Sequence, residues 1–411
     1  MSGIRVEGLN WMGVRPQIAA LLEKALGGEA LNQQEGLALF ECLPREEEVL
    51  SRVADQVRQQ RVGEQGSFVI TRNINFTNVC NMGCSFCGFA KRKHEAGAEL
   101  LSLEEVARRA REAWDRGATE VCIQGGLHPD IEGSHYRRIL QAVKAEVPDI
   151  HIHAFSPFEI FYGARKSRLS YADFIQDLIE HGLGSMPGTA AEILDVEIRQ
   201  QLTKDKLSTA AWVEIIGTAH RLGLPTTSTI MYGHVDQPRH WAAHIQLLAD
   251  MQSRLKQEQP EARGFTEFVP LGFVHYESPL YTGRSEVRPG PTASENLRMH
   301  AVSRLMLQGK IDNIQASWVK LGPEYAERML RSGANDLGGT LMNESISRAA
   351  GGKHGQEIVP ADMVAMIRRA GLQPVRRNTL YQSLQHYRDE AALQGLHQRI
   401  PLLQVALGGA A

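Results

Sequence analysis

The chain has 411 residues, 43% of them hydrophobic and 22% charged, with a formal net charge of −2 at pH 7. This length suits one large domain with appendages, or two domains. The near-neutral charge gives no electrostatic basis for binding nucleic acid or an anionic membrane, and no apolar run reaches the roughly 18 residues of a membrane-spanning helix. Five cysteines, an odd number, argue against a disulfide scaffold, and the first residues lack a secretory signal pattern. We therefore expect a cytoplasmic protein with reduced thiols and with neither a nucleic-acid nor a membrane partner.

Two kinds of secondary-structure pattern follow each other along the chain. Residues 15–62 are predicted to be helical, because apolar residues such as Ile18, Leu22 and Val53 recur at helical spacing. From about residue 67, strand-like runs alternate with amphipathic helices, two of which begin at the capping boxes SLEE and TASE. The strand-like runs are, in order, FVITRNINF, TEVCIQ, IHIHAF, GLGSM, TTSTIMYG, FTEFVP, IDNIQAS and ANDLGGT.

This alternation predicts an α/β fold, a closed parallel (β/α) TIM-type barrel. We place the barrel at residues 67–350, after an N-terminal helical segment at 1–66. A C-terminal extension of helix and loop, residues 351–411, is expected to pack on it. A doubly wound open sheet is the competing architecture. Active sites of such barrels lie at the carboxyl ends of the strands, where the loop after the first strand emerges.

That loop contains three cysteines, Cys80, Cys84 and Cys87, within the stretch NVCNMGCSFCGF. Thiolates suit zinc, copper(I) and iron–sulfur clusters. A structural zinc needs four ligands, and His94 is the candidate for the fourth. A [4Fe–4S] cluster held by three thiolates keeps one iron open to a substrate or cofactor. The residues alone allow three interpretations: a zinc site, an iron–sulfur cluster, or three core cysteines that bind nothing.

The spacing C-x3-C-x-Φ-C, with Phe86 as the aromatic residue, resembles the signature of the radical S-adenosylmethionine (SAM) superfamily. The resemblance implies a [4Fe–4S] cluster on the three cysteines, whose open iron binds the amino and carboxylate groups of SAM. It also implies that Phe86 packs near the adenine and that Gly125 and Gly126 meet the methionine part of SAM. The stretch TIMYGHVD resembles the adenine-proximal segment of the superfamily, and this resemblance implies that Gly233 approaches the adenine closely.

Longer segments resemble one family within this superfamily. QGGLHPDIEG, IHIHAFSPFEI, GSMPGTAAEIL, TTSTIMYGHVD, NIQASWVKLG and GANDLGGTLMNESISRAAG are similar in order and spacing to the tyrosine-using subunits of 7,8-didemethyl-8-hydroxy-5-deazariboflavin (FO) synthase. The resemblance covers roughly residues 40–385. Glu99 departs from it, since many relatives are expected to have an aromatic residue there.

The family resemblance implies a radical reaction on L-tyrosine. A 5′-deoxyadenosyl radical takes a hydrogen from the tyrosine amine, the Cα–Cβ bond breaks, and the 4-hydroxybenzyl group adds to 5-amino-6-(D-ribitylamino)uracil. The product then passes to FO synthase subunit 1, on the way to coenzyme F-420. A ferredoxin or flavodoxin is the expected electron donor. The futalosine enzymes of menaquinone synthesis and an iron–sulfur electron carrier are the alternatives.

Several polar residues on the predicted strands are candidates for catalysis. His151 and His153 alternate on one strand and so face the same side, which is either the lumen or the outer helices. Ser156 is a candidate substrate contact at the end of that strand, and Glu159 is either catalytic or a helix cap. Glu267 lies in an apolar strand, where a carboxylate needs a partner or a catalytic role.

A second set of polar residues is a candidate for binding the ribitylaminouracil. Asn313, Gln315 and Ser317 are spaced by two and share one face of a strand, although they could equally be a hydrated lining. Asn335 and Asp336 are expected at the mouth of the last strand, where capping of a loop is the alternative role.

Overall fold

The computed structural model describes residues 9–203 and 207–389. The strands are β1 Gln65–Val69, β2 Thr71–Asn75, β3 Glu120–Gln124, β4 His151–Ala154, β5 Thr226–Tyr232, β6 Phe265–Gly272, β7 Asp336–Gly339, β8 Gln373–Arg377 and β9 Ser383–His386. The helices are α1 Pro16–Leu26, α2 Gln33–Phe40, α3 Glu47–Val62, α4 Leu103–Asp115, α5 Ser134–Glu146, α6 Pro157–Ser167, α7 Tyr171–Glu180, α8 Val196–Leu202, α9 Thr209–Arg221, α10 Pro238–Glu258, α11 Pro279–Thr282, α12 Ala293–Leu307, α13 Trp318–Leu321, α14 Pro323–Leu330, α15 Ile346–Ala349 and α16 Pro360–Arg369, with a 3-10 turn at Pro44–Glu46. Residues 1–8 of the predicted N-terminal segment and 390–411 of the predicted extension lie outside the described residues.

The strands close into a parallel barrel, as predicted, and not an open sheet. β1 and β2 are interrupted only at Ile70 and act as one strand, which pairs with β7 through β1 and with β3 through β2. β3 pairs with β4, and parallel bridges through residues 185–186 join β4 to β5. β5 pairs with β6, and bridges through residues 314–315 join β6 to β7. All eight predicted strand positions are therefore present, two of them as very short segments.

The helices begin where the sequence predicts caps. Ser102 and Thr292 each accept a hydrogen bond from the backbone N–H three residues on, which satisfies an otherwise unpaired donor of α4 and α12. α4 buries Val106, Ala110 and Ala113 against the barrel. The N-terminal helices α2 and α3 pack on α10 and α12, so the predicted helical segment covers one side of the barrel. None of the helices within the described residues has the length and apolar character that a membrane crossing requires.

The C-terminal extension differs from the prediction of helix and loop, because it also contributes two strands. β8 lies parallel to β1, and β9 pairs antiparallel with β8. The strand was missed because its sequence, QPVRR, has one proline, two arginines and no clear alternation of apolar residues. Its last residue, Arg377, is buried at the amino end of the barrel.

Candidate active site

The three cysteines lie in the long loop between β2 and α4, at the carboxyl ends of the barrel strands. Cys80, Cys84 and Cys87 are half-buried free thiols that line one cavity of about 200 Å³, hereafter the cysteine cavity. Backbone hydrogen bonds fix the loop to its surroundings: Cys80 N donates to Lys91 O over 3.0 Å, and Ser85 N donates to Leu202 O over 3.0 Å. The structure thus brings together three thiols that the sequence only placed near each other.

The donor set of this cavity fits an iron–sulfur cluster. Soft thiolates are the ligands of such clusters, and each thiolate of a [4Fe–4S] cluster binds a different iron. In the parts of the chain that the structure describes, no three side chains of His, Cys, Asp or Glu are arranged to hold a single metal ion. His94, the candidate fourth ligand of a zinc site, is exposed and is not among the residues that line the cavity. Phe86 lines the cavity with the thiols.

Gly125 and Gly126, at the end of β3, also line the cysteine cavity. A Cβ on Gly126 would overlap the carbonyl oxygen of Val79 and lie 2.9 Å from Cβ of Cys80. A Cβ on Gly125 would lie 2.7 Å from the ring of Phe76. The space that glycine leaves here is filled by the cysteine loop and by Phe76. Close packing of the protein on itself therefore accounts for both glycines, whether or not their backbone also contacts a cofactor.

Ser156 and Glu159 line the same cavity at the start of α6. They form a capping box, in which Glu159 N donates to Ser156 Oγ over 3.3 Å and Ser156 N donates to Glu159 Oε2 over 2.7 Å. Gly125 N donates to Glu159 Oε1 over 3.0 Å. Burial raises the pKa of Glu159 to about 7, against the effect of these hydrogen bonds. Glu159 thus joins the glycine turn to α6.

Gly233 is placed elsewhere. Its φ of +91° suits glycine, and a Cβ there would overlap Pro291. It is not among the residues that line the cysteine cavity. The sequence predicted that the adenine would approach this glycine closely. In the structure, residues 290–291 of the protein itself occupy the space beside it.

A second cavity, of about 260 Å³, occupies the barrel interior, and we call it the lumen cavity. Gln124, Thr189 and Ile346 line both it and the cysteine cavity, so the two cavities adjoin. Polar residues from the strands line much of the lumen cavity, among them His153 and Glu267. A substrate in the lumen cavity would therefore lie beside a cofactor in the cysteine cavity.

His151 and His153 share a hydroxyl group. Ser185 Oγ is 2.7 Å from His151 Nε2 and 2.6 Å from His153 Nδ1. The two side chains face the same side of β4, as predicted, but His153 alone of the two lines the lumen cavity. Burial lowers the pKa of His151 and lowers that of His153 to about 4, so both imidazoles are neutral at pH 7.

An ionic cluster closes the amino end of the barrel, and we call it the lumen floor: Glu267, Asp336, Arg377 and Tyr381. Arg377 Nε donates to Asp336 Oδ2 over 2.6 Å, and its Nη2 lies 3.5 Å from Glu267 Oε2. The hydroxyl of Tyr381 donates to Glu267 as well. Desolvation raises the pKa of Glu267 to about 7, and the positive charge of Arg377 opposes this. Glu267 thus has the partner that a buried carboxylate needs.

Two family models match the chain, the radical SAM superfamily over residues 74–248 and the CofH/MqnC C-terminal region over residues 262–390. The chain is 43% identical over 374 residues to the 5-amino-6-(D-ribitylamino)uracil–L-tyrosine 4-hydroxyphenyl transferase of Methanothermobacter thermautotrophicus, which covers 91% of this chain and 100% of that protein. The chain belongs to this transferase family.

Larger relatives of the transferase family contain the same region. The chain is 50% identical over 373 residues to the FO synthase of Streptomyces avermitilis and 52% identical over 334 residues to that of Mycobacterium tuberculosis. These alignments cover 91% and 81% of this chain but 42% and 38% of those proteins. The chain therefore spans about two fifths of the length of the FO synthases that it matches.

Two solved structures share the fold of this chain. Methylornithine synthase superposes with a TM-score of 0.66 at 19% identity, over 87% of this chain and 97% of that one. The FeFe-hydrogenase maturase HydG from Carboxydothermus hydrogenoformans gives a TM-score of 0.67 at 16% identity, over 89% and 80%. As a member of the radical SAM superfamily, the chain uses a [4Fe–4S] cluster and SAM.

Some residues predicted to bind substrate lie away from the lumen cavity. Gln315 and Ser317 line the cavity, but Asn313 is not among its lining residues and donates to Thr266 O over 2.9 Å. The prediction of Asn335 and Asp336 at a strand mouth was wrong, because β7 begins at Asp336 and both residues lie at its amino end. Asn335 Oδ1 accepts from Arg304 Nη2 over 2.8 Å, and Asp336 belongs to the lumen floor.

The charged or polar residues of the lumen cavity that the sequence analysis missed include Arg377, Lys320, Glu344 and Ser347. Lys320 Nζ donates to Ser347 Oγ over 2.6 Å, and Ser347 N donates to both carboxylate oxygens of Glu344 over 2.9 Å. The signal for Lys320 was a single cation inside the apolar run SWVKLG, directly after a barrel strand. Arg377 gave no such signal, since its partners are distant in sequence.

Proposed function

We propose that this chain transfers the 4-hydroxybenzyl group of L-tyrosine to 5-amino-6-(D-ribitylamino)uracil, a step in the synthesis of FO and coenzyme F-420. The observation that carries the proposal is the match to the transferase of M. thermautotrophicus, which includes the whole of that protein. The adjoining cysteine and lumen cavities support it, because they would place a radical source beside a substrate site.

Cys80, Cys84 and Cys87 are the proposed cluster ligands, and Phe86 and the backbone at Gly125 and Gly126 line the proposed SAM site. When bound, the cluster and SAM supply a 5′-deoxyadenosyl radical that takes a hydrogen atom from a substrate. The protein must keep bulk water away from such a radical. The cavity lining supports this role, since apolar side chains make up much of it.

The residues of the lumen cavity are the proposed contacts of the two substrates. Gln315 and Ser317 offer amide and hydroxyl groups for the uracil ring or the ribityl chain. His153 is neutral at pH 7 and can accept or donate one proton of a phenol or amine. Glu267 is the proposed acid–base group in the lumen floor, and Glu159 has the same proposed role at the cysteine cavity.

Two protein partners follow from this proposal. FO synthase subunit 1 would take up the product, which agrees with the chain spanning only about two fifths of the FO synthases. A ferredoxin or flavodoxin would reduce the cluster. We further propose a cytoplasmic location, supported by five cysteines that are all free thiols.

The test is an anaerobic assay of the protein reconstituted with iron and sulfide, then reduced and supplied with SAM, L-tyrosine and 5-amino-6-(D-ribitylamino)uracil. Mass spectrometry should find 5′-deoxyadenosine together with a hydroxybenzyl–diaminouracil adduct. Both should be absent from a Cys84→Ala variant and present in Cys42→Ala, whose cysteine is buried in the N-terminal helical region. Formation of 5′-deoxyadenosine without the adduct, when all substrates are present, would refute the proposed substrates.

A further inference from the structure

Lys320 lies at the carboxyl-end face of the barrel, on α13, directly after the short seventh strand position at residues 314–315. The residue is half-buried and lines the lumen cavity. Desolvation of its ammonium group by the surrounding protein lowers its pKa. An ammonium has three N–H donors. Among the described residues, the one hydrogen-bond acceptor of Lys320 is the hydroxyl of Ser347. Lys320 is therefore a cation with donors available on the cavity side.

The other cation of the lumen cavity is already neutralised. Arg377 forms ion pairs with Asp336 and Glu267 in the lumen floor, at the amino end of the barrel. Lys320 lies at the opposite end of the barrel, after the strand position at residues 314–315. Of the two cations, Lys320 is thus the one placed to receive an anionic group from a ligand.

A carboxylate lies close to Lys320. Glu344 is buried, lines the same cavity, and exerts the negative charge that partly offsets the desolvation of Lys320. Ser347 connects the pair, because its hydroxyl accepts from Lys320 and its backbone N–H donates to Glu344. One cation and one anion at neighbouring points of a cavity wall match the carboxylate and the amino group of a free α-amino acid.

The position of this pair also suits the reaction. Ile346 lies between Glu344 and Ser347 in sequence and lines both the lumen cavity and the cysteine cavity. An amino-acid head group held by the pair would therefore lie at the boundary between the two cavities, with its side chain free to extend along the lumen.

We propose that Lys320 and Glu344 bind the α-amino-acid head group of the substrate, with Lys320 on the carboxylate and Glu344 on the amino group. This inference rests on the proposed function, because it takes L-tyrosine as the amino acid. Ser347 is a positioning residue. Its hydroxyl and backbone N–H form hydrogen bonds with Lys320 and Glu344, and neither of these bonds involves the ligand.

The test compares ligands that lack one half of the head group. Affinities of the reconstituted, SAM-loaded protein are measured by calorimetry for L-tyrosine, for tyramine, which lacks the carboxylate, and for 3-(4-hydroxyphenyl)propanoate, which lacks the amine. The wild-type protein should bind tyrosine about 10- to 100-fold more tightly than tyramine, as expected for a charge-assisted hydrogen bond to a carboxylate. In Lys320→Met this preference should disappear, and Lys320→Arg should restore part of it.

The complementary variant addresses the amino group. Glu344→Gln should remove the preference for tyrosine over 3-(4-hydroxyphenyl)propanoate and keep the preference over tyramine. Lys353→Met is the matched control, because Lys353 is an exposed lysine nearby whose ammonium lies 4.1 Å from the centre of the Tyr276 ring. Its affinities should equal those of the wild-type protein, and cluster absorbance should be the same in all variants.

Two results would overturn the inference in different ways. A Lys320→Met protein with an intact cluster and an unchanged preference for tyrosine over tyramine would refute the head-group site alone. A wild-type protein that neither binds nor consumes tyrosine would refute the proposed function, and the head-group site with it.

Discussion

Replacing Gly126 with alanine should displace the cysteine loop. The backbone at Gly126 does not have a positive φ, so alanine is acceptable there on conformational grounds, and only the available space decides the outcome. The new Cβ would lie 2.8 Å from the carbonyl carbon of Val79 and 2.9 Å from Cβ of Cys80, whereas ordinary contact begins at 3.4 Å. Because backbone atoms cannot rotate away, relief of the overlap with the Val79 oxygen requires the loop to move by about 1 Å.

Overpacking of this kind costs about 1–3 kcal/mol of stability, and here the displaced segment includes a proposed cluster ligand. We expect Gly126→Ala to lower the unfolding temperature by a few degrees and to reduce the iron bound per chain after reconstitution. Gly83→Ala is the matched control, because Gly83 lies in the same loop and its new Cβ would meet nothing within 4 Å. Iron content and stability of Gly126→Ala equal to those of Gly83→Ala would refute the reasoning.

The neighbouring glycine allows a sharper comparison. A Cβ on Gly125 would meet the ring of Phe76, which is a side chain and can be shortened. Phe76→Leu should therefore rescue part of the loss in a Gly125→Ala protein. Val79→Ala should not rescue Gly126→Ala, because the obstacle there is the Val79 backbone. Rescue in neither pair would show that the Phe76 side chain is not the obstacle at Gly125, and rescue in both would show that the Val79 backbone is not the obstacle at Gly126.

Three further predictions concern the buried charges. Arg377→Met should destabilise the apo-protein by about 3–5 kcal/mol in denaturant titrations, because two buried carboxylates lose their cation. Arg376→Met loses one hydrogen bond to a carbonyl and should destabilise it by about 1 kcal/mol. Equal losses of stability in the two variants would contradict a structural role for the ion pairs. The pKa of Glu159 is about 7 in the folded state, which is above its unfolded value. The stability of the wild-type protein relative to Glu159→Gln should therefore fall by up to about 3 kcal/mol as pH rises from about 4.5 to 7. A stability difference that stays constant over this pH range would contradict the prediction. The pKa of His153 is about 4 in the folded state, so its contribution to stability should be complete above pH 6.5 and be lost as pH falls towards 4. A His153→Gln protein should lack this loss in acid unfolding curves. The same loss in His153→Gln would show that His153 is not its source.

The strand positions of the barrel could be predicted because short strand-like runs alternate with amphipathic helices along the chain. The strand ends were harder to locate. ANDLGGT is short and contains two glycines, so it does not show whether its polar residues precede or follow the strand. Asn335 and Asp336 were placed at the wrong end for this reason, and β7 begins at Asp336.

The cysteine motif identified one half of the site, and the partners in the barrel could not be read in the same way. Arg377 is 110 residues from Glu267 and 41 from Asp336, and nothing local links them. A lysine in a four-residue helix is ordinarily a surface residue. Only the folded chain shows that Lys320, on α13, lines the lumen cavity. Contacts between distant segments depend on closure of the barrel, which a single sequence does not report.

The proposed reaction breaks the Cα–Cβ bond of tyrosine and moves the benzyl part to the uracil. The most direct measurement supplies the reconstituted protein with L-tyrosine labelled with carbon-13 either at Cβ or at Cα, together with SAM and 5-amino-6-(D-ribitylamino)uracil. The Cβ label should appear in the adduct, and the Cα label should appear in a separate two-carbon fragment. Both labels in the adduct, or neither label there while tyrosine is consumed, would contradict the proposed reaction.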